Sequence, residues 1–204
     1  MLLSVAAVSL FASTLGLGAP ASDTTIGRRS VEPVVYKIDA THSSVEFVIR
    51  HFMSRVRGQF KDWSGTIAAD PADWSTGSVE VTIQTASITT NSDRRDNDLR
   101  SPNFFEVDKN PTITFKSTKV ERTGDNLKIS GDLTMKGTTK PVVLEGKFLG
   151  AQKLANGKSR VGFEASVTLN RLDYGVKWNR VVEGGGMMLG DDVKIEITVE
   201  AIQQ

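Results

Sequence analysis

Residues 126–136 read NLKISGDLTMK, and apolar and polar side chains alternate along the whole run. Leu127, Ile129 and Leu133 fall on one parity, while Lys128 and Asp132 fall on the other. In an extended chain successive side chains point to opposite faces, so a period of two predicts one apolar face and one solvated face. A helix would place its apolar residues three and four positions apart. The segment therefore predicts a half-buried β-strand.

The same alternation recurs along the chain, in residues 45–50, 79–84, 112–116, 161–169 and 193–199. Turn-forming residues separate these runs, and Asn156-Gly157 offers the positive backbone φ angles of a tight hairpin. We count about eight strands between Val35 and Ile202, several of them long, and long strands favour a closed barrel because closure removes exposed edges. The sequence thus predicts an all-β protein, an eight-stranded antiparallel barrel. Such an interior is either filled by side chains or holds one small ligand.

One charged segment interrupts the strands. Residues 91–108 read NSDRRDNDLRSPNFFEVD and show no alternation. We expect a short helical insert near residues 93–107, whose helix stops at Pro102. Arg94, Arg95 and Arg100 could meet a phosphate or quinone head group. The alternative is a solvated helical turn in which they pair with neighbouring carboxylates, Asp96 among them.

Composition excludes several function classes. The chain of 204 residues has 25 basic and 24 acidic residues and a net charge of +1, which argues against nucleic-acid binding. The absence of cysteine excludes disulfides, thiolate nucleophiles and Cys-ligated zinc. His42 and His51 would lie about 30 Å apart on an extended strand, too far to share a metal. No nucleotide-binding or hydrolase motif is present. We therefore expect no metal, no cofactor and no enzymatic activity.

The first 21 residues carry no charge and end in the small-residue triplet Ala19-Pro20-Ala21. This pattern predicts a signal peptide over residues 1–21, cleaved near Ala21. The usual basic start is missing, so an upstream start codon or an uncleaved membrane anchor stays open. Residues 22–34 are small and polar and predict a flexible tether. The barrel domain is expected over residues 35–204.

Several motifs together resemble the YceI-like family. They occur in the family's order, as YKIDATHSSVEF (36–47), VRGQF (56–60), RDNDLRSPNFF (95–105), PTITF (111–115), GDLTMKG (131–137) and NRLDYG (170–175). Each motif alone is weak, but the series covers nearly the whole chain after the tether. The resemblance implies a lipocalin-like barrel in the periplasm or secreted, whose cavity takes polyisoprenoids, isoprenoid quinones or similar lipids.

The candidate binding residues fall into two groups. The cavity wall is expected from inward-facing side chains, namely Phe47, Ile49, Phe115, Leu133, Phe148, Phe163, Val167 and Ile195. Each of these could equally be ordinary barrel core. A mouth or lid is expected from Leu99, Arg100, Phe104 and Phe105 in the insert, whose apolar members could instead only anchor a long loop. Tyr174 and Trp178 follow a predicted strand break and receive no role from the sequence.

Three functions stand at this point. The first is carriage or storage of an isoprenoid-type lipid, to which apolar contact contributes about 0.8 kcal/mol for each buried methylene. The second is binding of fatty acids or other amphiphiles in a stress response. The third is a filled barrel that acts as a surface partner of a membrane complex. A homodimer and a transient contact with a membrane or membrane protein also stay open.

Overall fold

The computed structural model describes residues 32–204, most of which lie in β-strands. The strands are β1 (Val34–Ile38), β2 (Ser44–His51), β3 (Ser54–Phe60), β4 (Trp63–Asp70), β5 (Asp73–Gln84), β6 (Ile88–Thr89), β7 (Thr112–Thr123), β8 (Asn126–Met135), β9 (Thr138–Lys153), β10 (Ser159–Asn170) and β11 (Leu189–Gln203). One α-helix, α1, spans Asp93–Arg100, and short 3-10 turns span Ala40–His42, Thr85–Ser87 and Arg171–Tyr174.

The strands close into one barrel. Eight of them pair in a ring in the order β1, β4, β5, β7, β8, β9, β10 and β11, and β11 pairs back onto β1. Every pair in the ring is antiparallel. The remaining three strands continue ring strands toward one end of the barrel. β2 follows β1 and pairs with β11, β3 precedes β4 and pairs with β2, and β6 follows β5 and pairs with β3. The prediction of an eight-stranded antiparallel barrel is confirmed. Three of its strands are each broken into two pieces, namely β1 with β2, β3 with β4, and β5 with β6.

The two ends of the barrel differ. The turns at residues 71–72, 124–125 and 154–158 lie at one end, which we call the turn end. The hairpins at 52–53 and 136–137, α1 and the segment 171–188 lie at the other end, which we call the mouth. At the 154–158 turn only Gly157 takes a positive φ, 82°, and the Leu154 amide donates to the Lys158 carbonyl. This turn is therefore wider than the tight hairpin predicted from Asn156-Gly157.

The insert contains the expected helix over residues 93–100, followed by turns. Its carboxylates are not all solvated, however. Asp96 is 3% exposed and accepts hydrogen bonds from the Thr90 amide and the Thr89 hydroxyl, both at 2.8 Å. Burial opposes its ionisation, but these bonds and the charge of Arg100 together hold the pKa of Asp96 below its usual value. The expectation of a solvated turn is thus wrong for Asp96, which fastens α1 to the chain that precedes it.

The predicted signal peptide and nearly all of the predicted tether lie outside the described residues. The first strand begins at Val34, one residue before the expected start of the domain. Between residues 32 and 204, no helix is long and apolar enough to cross a membrane.

Candidate functional site

The barrel encloses a cavity of about 760 Å³ whose wall is almost entirely apolar. Alternate side chains along the strands line this cavity, as the alternation in the sequence predicts. Val142, Leu144 and Ile195 are only half-buried because they face this cavity rather than packed neighbours. Concave apolar sites of this size suit hydrophobic ligands.

Seven of the eight predicted wall residues line the cavity, namely Phe47, Ile49, Phe115, Leu133, Phe163, Val167 and Ile195. Two of the aromatic rings are accommodated by glycines on neighbouring strands. A Cβ on Gly58 would lie 2.3 Å from the Phe47 Cζ, and one on Gly131 would lie 2.5 Å from the Phe115 Cζ. Each ring therefore occupies the space that a side chain on the neighbouring strand would need, which only glycine leaves free.

An aromatic cluster blocks the turn end. The Trp74 ring lies 5.5 Å from Tyr36, 5.3 Å from Phe148 and 5.1 Å from Phe163, between ring centroids. Trp74 is 4% exposed and forms the inner surface of this plug. The expectation that Phe148 lines the wall is wrong, because it packs against Trp74 and under the Arg122 guanidinium, which lies 5.5 Å from its centroid. Its inward parity was predicted, but the plug separates it from the cavity.

Apolar side chains of the insert narrow the mouth. Leu99, Phe104 and Phe105 all line the cavity. The Phe104 ring lies 5.3 Å from Trp178, and Phe105 meets Phe60 edge-on at 6.1 Å. Phe104 is only 7% exposed. The two phenylalanines are thus both a roof over the cavity and packed core, so the two alternatives left open by the sequence coexist.

Arg100 does not belong to the mouth. Its Nε donates to the Ala86 carbonyl and one Nη to the Ile88 carbonyl, each at 2.8 Å. These bonds hold α1 against β6, and Arg100 does not line the cavity. Arg94 and Arg95 do line it, and the Arg95 Nε donates to the Thr90 hydroxyl at 2.7 Å. The expected mouth position of Arg100 is therefore corrected, since the side chain is used to anchor the helix.

The segment after β10 contributes two buried polar side chains to the cavity. Arg171 is 5% exposed and donates to the Val176 carbonyl at 2.6 Å and the Asp191 carboxylate at 3.2 Å. Tyr174 is 2% exposed, and its buried hydroxyl has no hydrogen-bond partner among residues 32–204. Burial, with a contribution from the Asp173 charge, raises the pKa of Tyr174, so the hydroxyl stays protonated. Tyr174 thus lines the cavity with its ring, while its neutral hydroxyl is buried in the wall without a partner among these residues.

The histidines take separate positions. The His42 Nδ1 lies 2.8 Å from the Asp39 carboxylate at the turn after β1, whereas His51 lines the cavity near the mouth. No group of three metal-ligating side chains occurs within residues 32–204. The sequence missed the roles of Trp74 and Tyr174. Trp74 lies at the start of β5 and Tyr174 lies in the 3-10 turn after β10, and alternation gives no signal at such positions.

The chain is similar to known proteins in both sequence and fold. The family model of the YceI-like domain matches residues 36–201. A UPF0312 protein of Pseudomonas paraeruginosa is 42% identical over 175 residues, which cover 83% of this chain and 87% of that protein. The Campylobacter jejuni YceI crystal structure is 34% identical with a TM-score of 0.69, over 76% of this chain and 90% of that one. A polyisoprenoid binding domain from Saccharophagus degradans shares the fold, with 17% identity and a TM-score of 0.61, over 84% of this chain and 99% of that one.

Proposed function

The chain belongs to the YceI-like family, and on that premise we propose that it binds one isoprenoid-type lipid, a polyprenyl chain or an isoprenoid quinone, inside the barrel. The observation that carries this proposal is an apolar cavity of about 760 Å³ inside the barrel. The Saccharophagus degradans domain with the same fold is described as polyisoprenoid binding, which supports the same ligand class here. A filled barrel, the third function considered from the sequence, does not describe this interior.

The size of the cavity limits the length of chain that it can hold. Taking about 30 Å³ for each water-sized group, about 760 Å³ accommodates roughly 25 carbon-sized groups. This corresponds to about five isoprene units. Since each buried methylene contributes about 0.8 kcal/mol, apolar contact alone can hold a chain of that length. Longer chains would extend through the mouth, because Trp74 and its neighbours block the turn end.

The head group is proposed to lie near Tyr174. A buried hydroxyl without a partner is costly. A small rotation of the Tyr174 side chain would bring the hydroxyl to the cavity, where a carbonyl, ether or hydroxyl oxygen of the ligand would satisfy it. The hydroxyl is neutral, and the Arg171 guanidinium in the same turn is already bound to the Val176 and Trp178 carbonyls and the Asp191 carboxylate. The site therefore favours an uncharged head group over a carboxylate. A fatty acid, the second function considered, would have to place its charge at the mouth beside Arg94 or Arg95.

We propose that the protein is a binding protein and not an enzyme. It carries or stores its lipid in the periplasm or as a secreted protein. The location rests on the uncharged first 21 residues. A mature N-terminus at or close to Ser22 in the exported fraction would support it. Intact Met1 on membrane-bound material would favour the anchor instead.

Mass spectrometry tests the ligand class directly. The protein is purified without detergent and analysed in its native state, and an organic extract of the same sample is then analysed for lipids. We expect a single bound species with a prenyl mass. An acyl mass would favour the fatty-acid alternative, and a protein that neither retains a lipid nor binds added geranylgeraniol would refute the proposal.

A further inference from the structure

Large exposed apolar side chains collect at the mouth of the barrel. Phe52 and Met53, at the tip of the β2–β3 hairpin, are 45% and 87% exposed. Val181 and Met187, in the segment before β11, are 68% and 55% exposed. Between residues 32 and 204 the other large apolar side chains with such exposure are Val35, Val143 and Leu149, which lie on β1 and β9. We call Phe52, Met53, Val181 and Met187 the apolar rim.

Backbone contacts hold the rim together as one surface. The Phe52 amide donates to the Met188 carbonyl at 2.7 Å, and Val181 pairs with Met187 in an isolated β-bridge. Phe52 takes a positive φ of 52°, which is unusual for a bulky residue, and its carbonyl accepts a bond from the Arg50 Nε at 3.1 Å. The hairpin tip is therefore fixed in a conformation that leaves these two side chains in solvent. Exposed apolar clusters of this kind mark interaction sites.

Basic residues flank the rim. Residues 50–57 read RHFMSRVR and contain no carboxylate, and Arg50 and Arg55 are exposed. Lys177 and Arg180, in the other segment, are exposed as well. The nearby carboxylates are Glu183 and the exposed Asp191 and Asp192, of which Asp191 is paired with Arg171. Exposed apolar side chains with surrounding cations are the combination that binds an anionic lipid surface, through apolar insertion and attraction to charged head groups.

The rim is continuous with the cavity. His51 and Met188 are neighbours in sequence of Phe52 and Met187, and both line the cavity wall. Trp178, in the same segment as Val181, lines it too and packs against Phe104 of the roof. A surface seated on the rim would therefore lie directly over the mouth, and an apolar chain could pass from it into the barrel without crossing water.

We propose that the apolar rim docks the protein onto an anionic phospholipid bilayer, and that lipid enters and leaves the barrel there. The purpose of docking, which is lipid exchange, rests on the proposed function. The docking surface itself is defined by the rim and the charges beside it. A protein partner is the competing occupant. A bilayer is favoured because exposed basic residues lie beside the rim on both segments and the site behind the rim is an apolar cavity.

Vesicle flotation tests the proposal. The full-length exported protein is mixed with vesicles of phosphatidylcholine and phosphatidylglycerol, or of phosphatidylcholine alone. We expect flotation with the anionic vesicles, and weaker flotation without phosphatidylglycerol or at high salt. Phe52→Asn with Met53→Ser removes half of the rim, and asparagine tolerates the positive φ at position 52. This double variant should bind at least about tenfold more weakly, because it withdraws two large apolar side chains from the bilayer.

Matched controls remove exposed apolar side chains elsewhere. Val143→Thr and Leu149→Ser are comparably exposed positions on β9 and should float like the unmodified protein. All variants should keep their melting temperature and their affinity for detergent-dispersed geranylgeraniol, while the rim variant takes up the same lipid from vesicles more slowly. Equal flotation of rim and control variants would overturn the docking proposal, as would an unmodified protein that binds dispersed lipid but does not float. Flotation without any lipid uptake would leave docking intact and refute the binding function instead.

Discussion

Replacing Leu133 by tryptophan tests whether the interior is a ligand site. Leu133 lies on the inward parity of β8 and is only half-buried because it faces the cavity. The larger ring would extend into the lumen. In a filled core the same change would cost roughly 1–3 kcal/mol through overpacking. For a domain of this size such a loss lowers the melting temperature by roughly 2–4 °C for each kcal/mol.

The expected effect on binding follows from the apolar contact that the ring displaces. If tryptophan excludes about three methylene groups at about 0.8 kcal/mol each, the ligand loses roughly 2.4 kcal/mol. That energy corresponds to an affinity about fiftyfold lower, since about 1.4 kcal/mol is tenfold. The melting temperature of the ligand-free protein should stay within about 2 °C of the original, because the cavity of about 760 Å³ accepts the ring.

The matched control is Thr134→Trp, on the next residue of the same strand. The Thr134 hydroxyl lies 2.8 Å from the Thr139 hydroxyl on the outer face, so the new ring would point away from the cavity. Titration with geranylgeraniol and a melting curve are measured on the same ligand-free samples. Equal affinities of the two variants would refute the inward assignment of Leu133, and unfolding of Leu133→Trp alone would refute a cavity with room for the ring.

Four further predictions follow from individual contacts. Tyr174→Phe should keep or raise the melting temperature, since it removes an unpaired buried hydroxyl, and should bind a menaquinone about tenfold more weakly while squalene binding is unchanged, as measured by titration. Gly131→Ala should lower stability by roughly 1–3 kcal/mol in denaturant titrations, since its Cβ would collide with the Phe115 ring and the Lys116 carbonyl. Phe104→Ala with Phe105→Ala should both lower the melting temperature and speed lipid exit in a stopped-flow assay; a change in only one of the two would contradict the shared role of roof and core. Stability should fall as the pH drops below about 4, because the unfolded chain takes up the proton of Asp96 before the folded one does, and Asp96→Asn should flatten that part of the pH profile of denaturant unfolding.

The sequence predicts the wall of the barrel well because the wall depends on a local rule. Each strand must turn one parity inward, and the alternation in residues 126–136 or 161–169 expresses that rule directly. The ends of the barrel depend instead on contacts between distant segments. Trp74 follows a turn, and its partners Tyr36 and Phe163 are on other strands. No local sequence pattern therefore predicts the plug.

The charged insert shows the same limit. The sequence does not distinguish Arg94, Arg95 and Arg100, which lie in the same charged segment. In the structure Arg100 donates to the carbonyls of Ala86 and Ile88, while the other two line the cavity. Asp96 is buried only because two threonines and α1 meet around it. Which charge is structural and which faces the ligand is thus decided by the way that the helix lies across the mouth, and this information is absent from any single segment.

The difference between the two ends sets the direction of a bound lipid. The aromatic plug around Trp74 closes the turn end mainly with ring surfaces, whereas Tyr174 and the basic side chains of Arg94 and Arg95 lie on the mouth side. A polar head group that lay against ring faces without a hydrogen-bond partner would cost about 1–3 kcal/mol. A lipid bound as proposed therefore enters with its hydrocarbon end first and keeps its head group at the mouth. The head group is then the last part to enter and the first to leave, on the side of the barrel that carries the apolar rim.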